Sequence, residues 1–351
     1  MTPIVIPAYE PDNRMLGLLE SMKEKDLGPV IIVDDGSGPE YAALFAQAQV
    51  CLHGLGGTVL THEVNRGKGR ALKTAFAYIL DNYPDAAGCV TADSDGQHSA
   101  DCILSVRQAL EDNPDKLVLG VRRFDSEGVP WRSRAGNKIT EKVFSYVSGV
   151  HVTDTQTGLR GIPRAFMEQL LDVPGERFEF EMQMLLESSG EYPVLEIPIQ
   201  TIYDSKDNHQ THFNTFSDSV KIYRILAKKY LKYVFASVSS CVIDLALFAV
   251  FCFLLKEKLP AYITVSTVLA RAISAVYNYT VTYKLVFASK QKVSVSGMKF
   301  FILAIVQMGL SALLVTAGCS LLPFIPEVAV KACVDCVLFF ISYTVQQKYI
   351  F

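Results

Sequence analysis

Four long apolar stretches in the last third of the chain constrain its architecture more than any other feature. They cover residues 233–255, 262–286, 300–322 and 328–346. A helix needs about 20 mostly apolar residues to cross the hydrocarbon core of a bilayer. A soluble core has little room for four such stretches in residues 231–351, so we predict an all-α domain of four transmembrane helices over residues 232–351.

The apolar region also repeats itself. NYTVTYKLVF at 278–287 and SYTVQQKYIF at 342–351 have Tyr, Thr, Val, Lys and Phe in common, and LKYVFAS and MKFFILA begin the first and third stretches. Repeats of this kind are frequent in membrane proteins. The pattern predicts two helical hairpins of parallel sense.

The basic residues predict how the membrane domain is oriented. Residues 231–351 hold ten Lys or Arg and four Asp or Glu, against 23 and 32 in residues 1–230. Lysines cluster before the first stretch and between the second and third, at Lys228, Lys229, Lys232, Lys284, Lys290, Lys292 and Lys299. Because such loops face the cytoplasm, we expect a multi-pass protein whose N-terminal part and C-terminus are cytoplasmic.

Three charged residues lie inside the apolar stretches, Asp244, Arg271 and Asp335. A lone charge at the centre of a membrane helix costs about 2.5–3.5 kcal/mol on insertion scales. Two interpretations stay open: a structural Asp–Arg pair, or contact between Arg271 and a lipid phosphate.

The first part of the chain alternates strand-like and helical patterns. Five apolar runs, PIVIPA, PVIIVDD, TVLTH, GCVTAD and LVLGV, are separated by longer segments. One of these segments has the spacing of a helix face at Leu72, Ala75, Phe76 and Ile79. We predict a Rossmann-like α/β domain with a mostly parallel sheet over residues 1–205, followed by a linker helix over residues 206–231.

The segment TADSDGQHSAD at 91–101 follows one of these predicted strands. In such sheets ligands bind beyond the carboxyl ends of the strands. Asp93, Asp95 and Gln97 offer the oxygen ligands that Mg²⁺ or Mn²⁺ prefers. A calcium-binding EF-hand is excluded because Leu104 stands where that loop needs Glu.

The segment NRGKGRALKTAF at 65–76 is rich in glycine and basic residues. It is not a P-loop, because Lys68 is followed by Gly69, and Leu72 breaks the dinucleotide-binding pattern. Either it is an ordinary turn before a helix, or it is a helix entry near a phosphate with Lys68 or Arg66 as the charge.

Five motifs together resemble a known family. VIPAYEPD, VIIVDDGS, NRGKGRA, ADSDGQH and TQTGLRG occur in the order and spacing of the family-2 glycosyltransferases of the GT-A fold. The DSDGQH form is similar to the dolichyl- and undecaprenyl-phosphate sugar transferases, including the dolichyl-phosphate mannose synthases. The C-terminal part is similar to the GtrA-like membrane domain, and bacterial bifunctional proteins join the two domains in this order.

The resemblance implies an activity. A metal-dependent, inverting hexosyltransferase would move one sugar from a UDP- or GDP-linked donor to a polyprenyl phosphate, such as undecaprenyl phosphate, for cell-envelope glycans. It would act at the cytoplasmic face of a bacterial membrane, with Mg²⁺ or Mn²⁺ as cofactor. Nucleic acid is not an expected partner, and a homo-oligomer stays open. In the alternative, the membrane half translocates a lipid-linked sugar and the soluble half regulates or feeds it.

The resemblance also assigns roles to residues. The nucleotide-sugar positions are Pro7, Ala8, Tyr9, Asp34, Asp35, Lys68, Asp93 and Ser94. The metal ligands are Asp93, Asp95 and Gln97, and the catalytic residues are Asp93, Asp95 and Glu181. The acceptor phosphate is expected at Arg122, Arg132, Arg134, Lys138, Lys206 and His212.

Two segments depart from the family pattern. Relatives have Phe-Gln-x-Glu where this chain has Phe-Glu-Met-Gln at 180–183, so Glu181 is expected to act as that acid, with Glu179 as a weaker candidate. The segment IYDSKDNHQTHF at 202–213 lacks the Arg of relatives, and Lys206, His209 or His212 would supply its charge.

Overall fold

The computed structural model describes residues 1–122, 131–189, 191–200, 215–260, 262–287, 289, 291–321, 324–325 and 327–351. The chain divides into two compact units, Met1–Ile225 and Leu226–Phe351. Residues 206–214 of the predicted linker lie outside the described ranges. From Thr215 onward, however, the chain is one continuous helix that ends at Leu255.

The first unit is an α/β domain built on a seven-stranded sheet. Its strands are β1 (Ile4–Ala8), β2 (Val30–Asp34), β3 (Thr58–Thr61), β4 (Gly88–Thr91), β5 (Leu117–Arg122), β6 (Arg160–Pro163) and β7 (Val194–Ile199). They lie side by side in the order β3-β2-β1-β4-β6-β5-β7. Only β6 runs antiparallel to its neighbours in this sheet, so the predicted mostly parallel fold is confirmed.

Seven helices belong to this domain within the described residues. They are α1 (Arg14–Glu24), α2 (Ala42–His53), α3 (Lys68–Asn82), α4 (Ala100–Asp112), α5 (Trp131–Ser148), α6 (Arg164–Leu170) and α7 (Glu179–Glu187). Strands β1 and β2 are buried at every position, as expected for continuous apolar runs covered on both faces. The predicted apolar face of α3, formed by Leu72, Ala75, Phe76 and Ile79, is buried and packs on the sheet through β1 and β2.

Two strands were missing from the sequence-based prediction. Strand β6 is only RGIP, which contains a charge, a glycine and a proline and carries no apolar run. Strand β7, VLEIPI, is partly exposed and pairs with β5, far away along the chain. Each segment also contains a proline, which counts against a strand prediction.

The second unit is helical. Its helices are α8 (Thr215–Leu255), α9 (Tyr262–Val281), α10 (Val293–Leu321) and α11 (Glu327–Val345). Each overlaps one of the four apolar stretches. Within the described residues two segments are long and apolar enough to cross a membrane, Leu226–Leu255 and Val293–Gly318.

The internal repeat has a structural counterpart. In both copies of the repeated motif the second helix ends in a five-residue π-helical turn, Thr282–Val286 after α9 and Gln346–Ile350 after α11. The final residues of the two motifs, Phe287 and Phe351, stack with ring centroids 5.0 Å apart. Equivalent backbone turns and a mutual aromatic contact support the interpretation of two duplicated hairpins.

Candidate active site

The polar segments predicted as functional meet at one edge of the sheet. Strands β2, β1 and β4 are neighbours and parallel, so the residues after each of them lie at the same carboxyl edge. A small cleft at this edge is lined by Tyr9, Glu10, Pro11, Asp12, Arg14, Ser94 and Asp95. The structure therefore brings Tyr9, Ser94 and Asp95 together in one cleft.

Three charged groups from different elements converge beside this edge. The Lys68 ammonium, in the first turn of α3, lies 2.7 Å from Asp93 Oδ1 and 3.0 Å from Glu181 Oε1. Burial opposes the charge on Lys68, but the two facing carboxylates outweigh burial and raise its pKa. The ammonium is thus held charged and joins the loop after β4 to the start of α7.

The Asp93 carboxylate is held ionised by its neighbours. Burial favours the neutral acid, but the charge of Lys68 and the nearby His98, whose Nε2 lies 3.7 Å from Asp93 Oδ2, hold the pKa of Asp93 well below its usual range. The carboxylate also lies against the backbone of Gly158, where an added Cβ would be 2.2 Å from Asp93 Oδ2. Only glycine leaves room for this carboxylate at position 158.

The pKa of Asp95 is shifted in the opposite direction to that of Asp93. Burial and the neighbouring Asp93 charge raise the pKa of Asp95, while its Oδ1 accepts a hydrogen bond from the Gln97 backbone N–H at 3.0 Å. Two carboxylates that repel each other in this way favour a shared cation.

The carboxylates at this edge suit one kind of metal site and not another. No group of three His, Cys, Asp or Glu side chains in the described residues forms a metal cage. Mg²⁺, however, is commonly bound by one or two carboxylates together with water and substrate phosphates. Asp93 and Asp95 fit a metal of that kind, whereas they do not fit a metal held by protein ligands alone.

The two aspartates at the carboxyl end of β2, Asp34 in the strand and Asp35 directly after it, have mainly structural contacts. Asp35 is buried, and its carboxylate accepts hydrogen bonds from the backbone N–H groups of Arg66 at 3.0 Å and Gly67 at 2.7 Å and lies 2.7 Å from His62 Nδ1. Asp34 Oδ1 accepts a hydrogen bond from the Ser37 backbone N–H at 2.9 Å. Asp35 thereby fixes the loop that leads into α3 and Lys68.

The glycines of the NRGKGRA segment have a packing role. At Gly69 an added Cβ would lie 2.6 Å from Phe180 Cβ. The absence of a side chain therefore lets α3 approach the segment that begins α7, which brings Lys68 and Glu181 together. This packing role was part of neither sequence-based interpretation of the segment.

Other predicted positions are distributed as follows. Pro7 and Ala8 are buried in β1, and the pKa of Tyr9 is raised mainly by its hydrogen bond with Glu10. Lys138 is exposed on α5. The side chains of Arg132 and Arg134, and all of Lys206 and His212, lie outside the described residues.

Arg122, at the end of β5, is held by a residue that sequence reasoning missed. The buried carboxylate of Asp154 accepts from Arg122 Nε at 2.7 Å and from Nη2 at 3.0 Å. Two parallel hydrogen bonds fix the plane of a guanidinium. Asp154 directly precedes the quoted motif TQTGLRG, and that position was the available signal.

The arginine inside that motif was also missed. Arg160 is fully buried in β6 and donates to the carbonyl oxygens of Thr157 at 2.8 Å and Glu181 at 2.7 Å. Burial lowers the pKa of Arg160, opposed by the carboxylates of Glu181, Asp154 and Asp93. It ties the motif to the first turn of α7 beneath the charged cluster.

Comparison with known families agrees with this arrangement. Residues 4–171 match the model of glycosyl transferase family 2. Residues 232–351 match the model of the GtrA/DPMS transmembrane domain.

The chain carries a family-2 glycosyltransferase domain followed by a GtrA/DPMS membrane domain. This glycosyltransferase domain is 25% identical over 215 residues to a UDP-N-acetylglucosamine–dolichyl-phosphate N-acetylglucosaminyltransferase of Methanococcus voltae, covering 57% of this chain and 85% of the relative. It is 23% identical over 229 residues to the glycosyltransferase AglJ of Haloferax volcanii, covering 64% of this chain and 71% of the relative. Both relatives are archaeal, so they give no support to the expected bacterial origin.

Solved structures show weaker likeness. The mannosyltransferase PcManGT of Pyrobaculum calidifontis, in complex with GDP-Man and Mn²⁺, is 15% identical with a TM-score of 0.42, covering 99% of this chain and 87% of that one. Residues 1–349 of TarS from S. aureus are 13% identical with a TM-score of 0.40, covering 99% of this chain and 90% of that one. Scores of this size carry no inference, and the fold assignment rests on the sheet order and the family model.

Proposed function

We propose that this glycosyltransferase transfers one sugar from a nucleotide diphosphate sugar to the phosphate of a polyprenyl lipid, with inversion at the anomeric carbon. The observation that carries the proposal is the cluster of Lys68, Asp93 and Glu181 at the carboxyl edge of the sheet. Charged groups at this edge support the proposal because ligands of such sheets bind beyond the carboxyl ends of the strands, and the chain also matches the model of a transmembrane domain.

On the donor side, the reaction requires that negative charge on the leaving group be neutralised. The sugar–diphosphate bond breaks, and its electron pair leaves with the nucleoside diphosphate. A Mg²⁺ or Mn²⁺ ion bound by Asp93 and Asp95 would neutralise the charge that develops on that leaving group. Lys68 holds Asp93 in place and keeps it ionised, and Glu181 holds Lys68.

The acceptor side needs little proton transfer. A phosphate monoester has a second pKa of about 6 and is largely dianionic at neutral pH. One of its oxygens can therefore attack the anomeric carbon without a general base, forming the new C–O bond as the old one breaks. Because this is a single displacement, the configuration at that carbon inverts.

The enzyme must hold two anions close together, which requires fixed cations. Arg122 is a suitable group because Asp154 fixes its guanidinium plane. Arg132, Arg134, Lys138, Lys206 and His212 remain proposed contributors to the same acceptor site.

A relative gives a first choice of substrates. The Methanococcus voltae protein is named for UDP-N-acetylglucosamine and dolichyl phosphate. We therefore propose UDP-N-acetylglucosamine as the first donor to test, before other UDP- and GDP-sugars.

The membrane half is proposed to cross the bilayer four times, with both the catalytic domain and the C-terminus in the cytoplasm. Two of the helices contain segments of sufficient length and apolarity, and the lysine-rich loops supply the orientation. The N-terminal unit 1–205, the linker 206–231 and the membrane unit 232–351 remain the proposed domain limits.

The test is a transfer assay with the full chain in detergent. Purified protein would receive dolichyl or undecaprenyl phosphate, Mg²⁺ or Mn²⁺, and UDP-N-acetylglucosamine or another nucleotide sugar. We expect a lipid-linked monosaccharide that disappears with EDTA, returns when metal is added back, and is lost in Asp95→Asn. Inversion would be read from the anomeric configuration of the product by NMR.

Asp101→Asn is the matched control, because Asp101 is an exposed carboxylate that pairs with Lys25 on the surface. It should transfer sugar at the parent rate. Donor hydrolysis without lipid product, or transfer by Asp95→Asn at the parent rate, would contradict the proposal.

A further inference from the structure

Arg271 presents a cation on the outer surface of the membrane domain. It lies within α9, and its side chain is 74% exposed. Large apolar side chains on the same helix are exposed around it, including Val268 at 61%, Ile273 at 46% and Val276 at 55%. An exposed apolar surface of this kind is suited to lipid rather than to water.

The ion pair recorded within the described residues leaves most of this guanidinium unused. Arg271 Nη2 lies 3.6 Å from Asp244 Oδ2, too far for a hydrogen bond. Asp244 Oδ1 accepts a hydrogen bond from Ser274 Oγ at 2.9 Å. The guanidinium forms no hydrogen bond to another described residue, although it has five N–H donors.

The cation at Arg271 has no counterpart at the equivalent position of the second hairpin. In the register set by the repeated motifs, Asp244 corresponds to Ser311 and Arg271 to Asp335. The contact between these positions is kept, since Ser311 Oγ donates to Asp335 Oδ1 at 2.7 Å, but the cation is replaced by an anion.

A second contact shows that this register is correct. Ser240 and Gln307 correspond to each other, as do Ser274 and Leu338. Ser240 Oγ donates to the Ser274 carbonyl at 3.0 Å, and Gln307 Nε2 donates to the Leu338 carbonyl at 3.1 Å. The two hairpins therefore share their helix contacts and differ in the charge at the Arg271 position.

We propose that Arg271 forms a binding site for the phosphate of a polyprenyl lipid, in the membrane domain and distinct from the acceptor site of the catalytic domain. A guanidinium surrounded by hydrocarbon requires an anion, and phosphate matches its fork of donors. A lipid phosphate brings that anion on an apolar chain, which matches the exposed apolar side chains around Arg271. Asp244 lies 3.6 Å from Nη2 and accepts no hydrogen bond from it, so the N–H donors of the guanidinium stay available to a phosphate.

This inference rests on the proposed membrane topology, and a count of bound lipids tests it separately from the proposed transfer reaction. The full chain in detergent would be titrated with farnesyl phosphate, without nucleotide sugar so that nothing turns over. Native mass spectrometry would count the bound molecules. Farnesol and inorganic phosphate would be titrated in parallel, to separate the lipid phosphate from the chain alone and from free phosphate.

The parent protein should bind two farnesyl phosphates per chain, and Arg271→Gln should bind one. Lys256→Gln, which removes an exposed positive charge after α8, should still bind two. If the parent binds one farnesyl phosphate and Arg271→Gln binds none, Arg271 belongs to a single acceptor site and the inference of a second site is wrong. Unchanged stoichiometry in Arg271→Gln overturns the inference, as does equal binding of inorganic phosphate at this site.

A conservative variant separates loss of the binding site from loss of the fold. Arg271→Lys keeps the charge and loses the planar fork, so it should bind with an affinity lower by about tenfold, the equivalent of about 1.4 kcal/mol. If Arg271→Gln changes the oligomeric state while both lipids stay bound, the surface is an interface between copies and the inference is wrong.

Discussion

Lys68 shows how one side chain can organise a site. Its ammonium is the shared partner of Asp93 and Glu181, two carboxylates from elements far apart in the chain. Removing one member of a buried charge cluster leaves the others uncompensated, which is costly. The same change also removes a cation from the region where the leaving diphosphate develops charge.

We therefore expect Lys68→Gln to lower kcat/KM for sugar transfer by about a hundredfold or more, as for loss of one electrostatic group in a catalytic site. Lys116→Gln is the control, because the Lys116 ammonium donates to Asn113 Oδ1 at 2.9 Å and lies away from the charged cluster. Initial rates at varied nucleotide sugar would measure the effect. A Lys68→Gln enzyme with the parent kcat/KM would show that the cluster is not part of the site.

Asp154 is expected to act through Arg122 as a positioning residue. Asp154→Asn keeps the shape but removes one acceptor from a bidentate pair, and a hydrogen bond to a charged group contributes about 1.5–3 kcal/mol. KM for the lipid acceptor should rise by about tenfold or more, whereas KM for the nucleotide sugar should not change. Equal changes in both KM values, or a fall in kcat alone, would indicate a general structural role instead.

At the scale of elements, two helical glycines make a matched pair. Gly17 in α1 has open space around the position of an added Cβ, whereas the same atom at Gly69 in α3 would lie 2.6 Å from Phe180 Cβ. Gly17→Ala should stabilise the fold by about 0.5–1 kcal/mol, because glycine is unfavourable inside a helix. Gly69→Ala should destabilise it and separate Lys68 from Glu181.

Thermal unfolding and transfer activity would be measured on both variants. Gly17→Ala should raise Tm and keep activity, while Gly69→Ala should lower both. If Gly69→Ala is as stable and active as the parent, the close contact between α3 and α7 does not position Lys68.

The elements themselves were predictable only where their pattern is local. Strands β1 to β5 are apolar runs, and α3 has a regular buried face, so neighbouring residues suffice to predict them. Strand β6 depends on pairing with β4 and β5, and β7 on pairing with β5. Both were missed because their stabilising partners lie far away in sequence.

At the scale of the whole molecule, the two repeats are joined by their final aromatic residues. Phe287 and Phe351 stack at 5.0 Å, and aromatic pairs contribute about 0.5–1.5 kcal/mol beyond burial. A double-mutant cycle would measure this interaction energy. Phe287→Ala and Phe351→Ala should each lower the stability of the protein in detergent. The double variant should lose less than the sum by about that amount.

The same cycle at Phe253 and Phe324, two exposed phenylalanines in the membrane half, serves as the control. Their effects should add. Additive effects at Phe287 and Phe351 as well would contradict the mutual packing of the repeats.

The amino-acid sequence by itself determined the division into an α/β part and a helical part, the internal duplication, and the placing of Asp93 and Asp95 at the end of a strand. These are consequences of hydrophobic period and residue order, which are local. The tertiary structure alone decided which polar residues share a site. Asp35 and Asp93 both follow buried strands, yet Asp35 is bound by the backbone of Arg66 and Gly67, while Asp93 faces Lys68. The reason is physical: burial and hydrogen bonding depend on neighbours brought together by the fold, and those neighbours are distant along the chain.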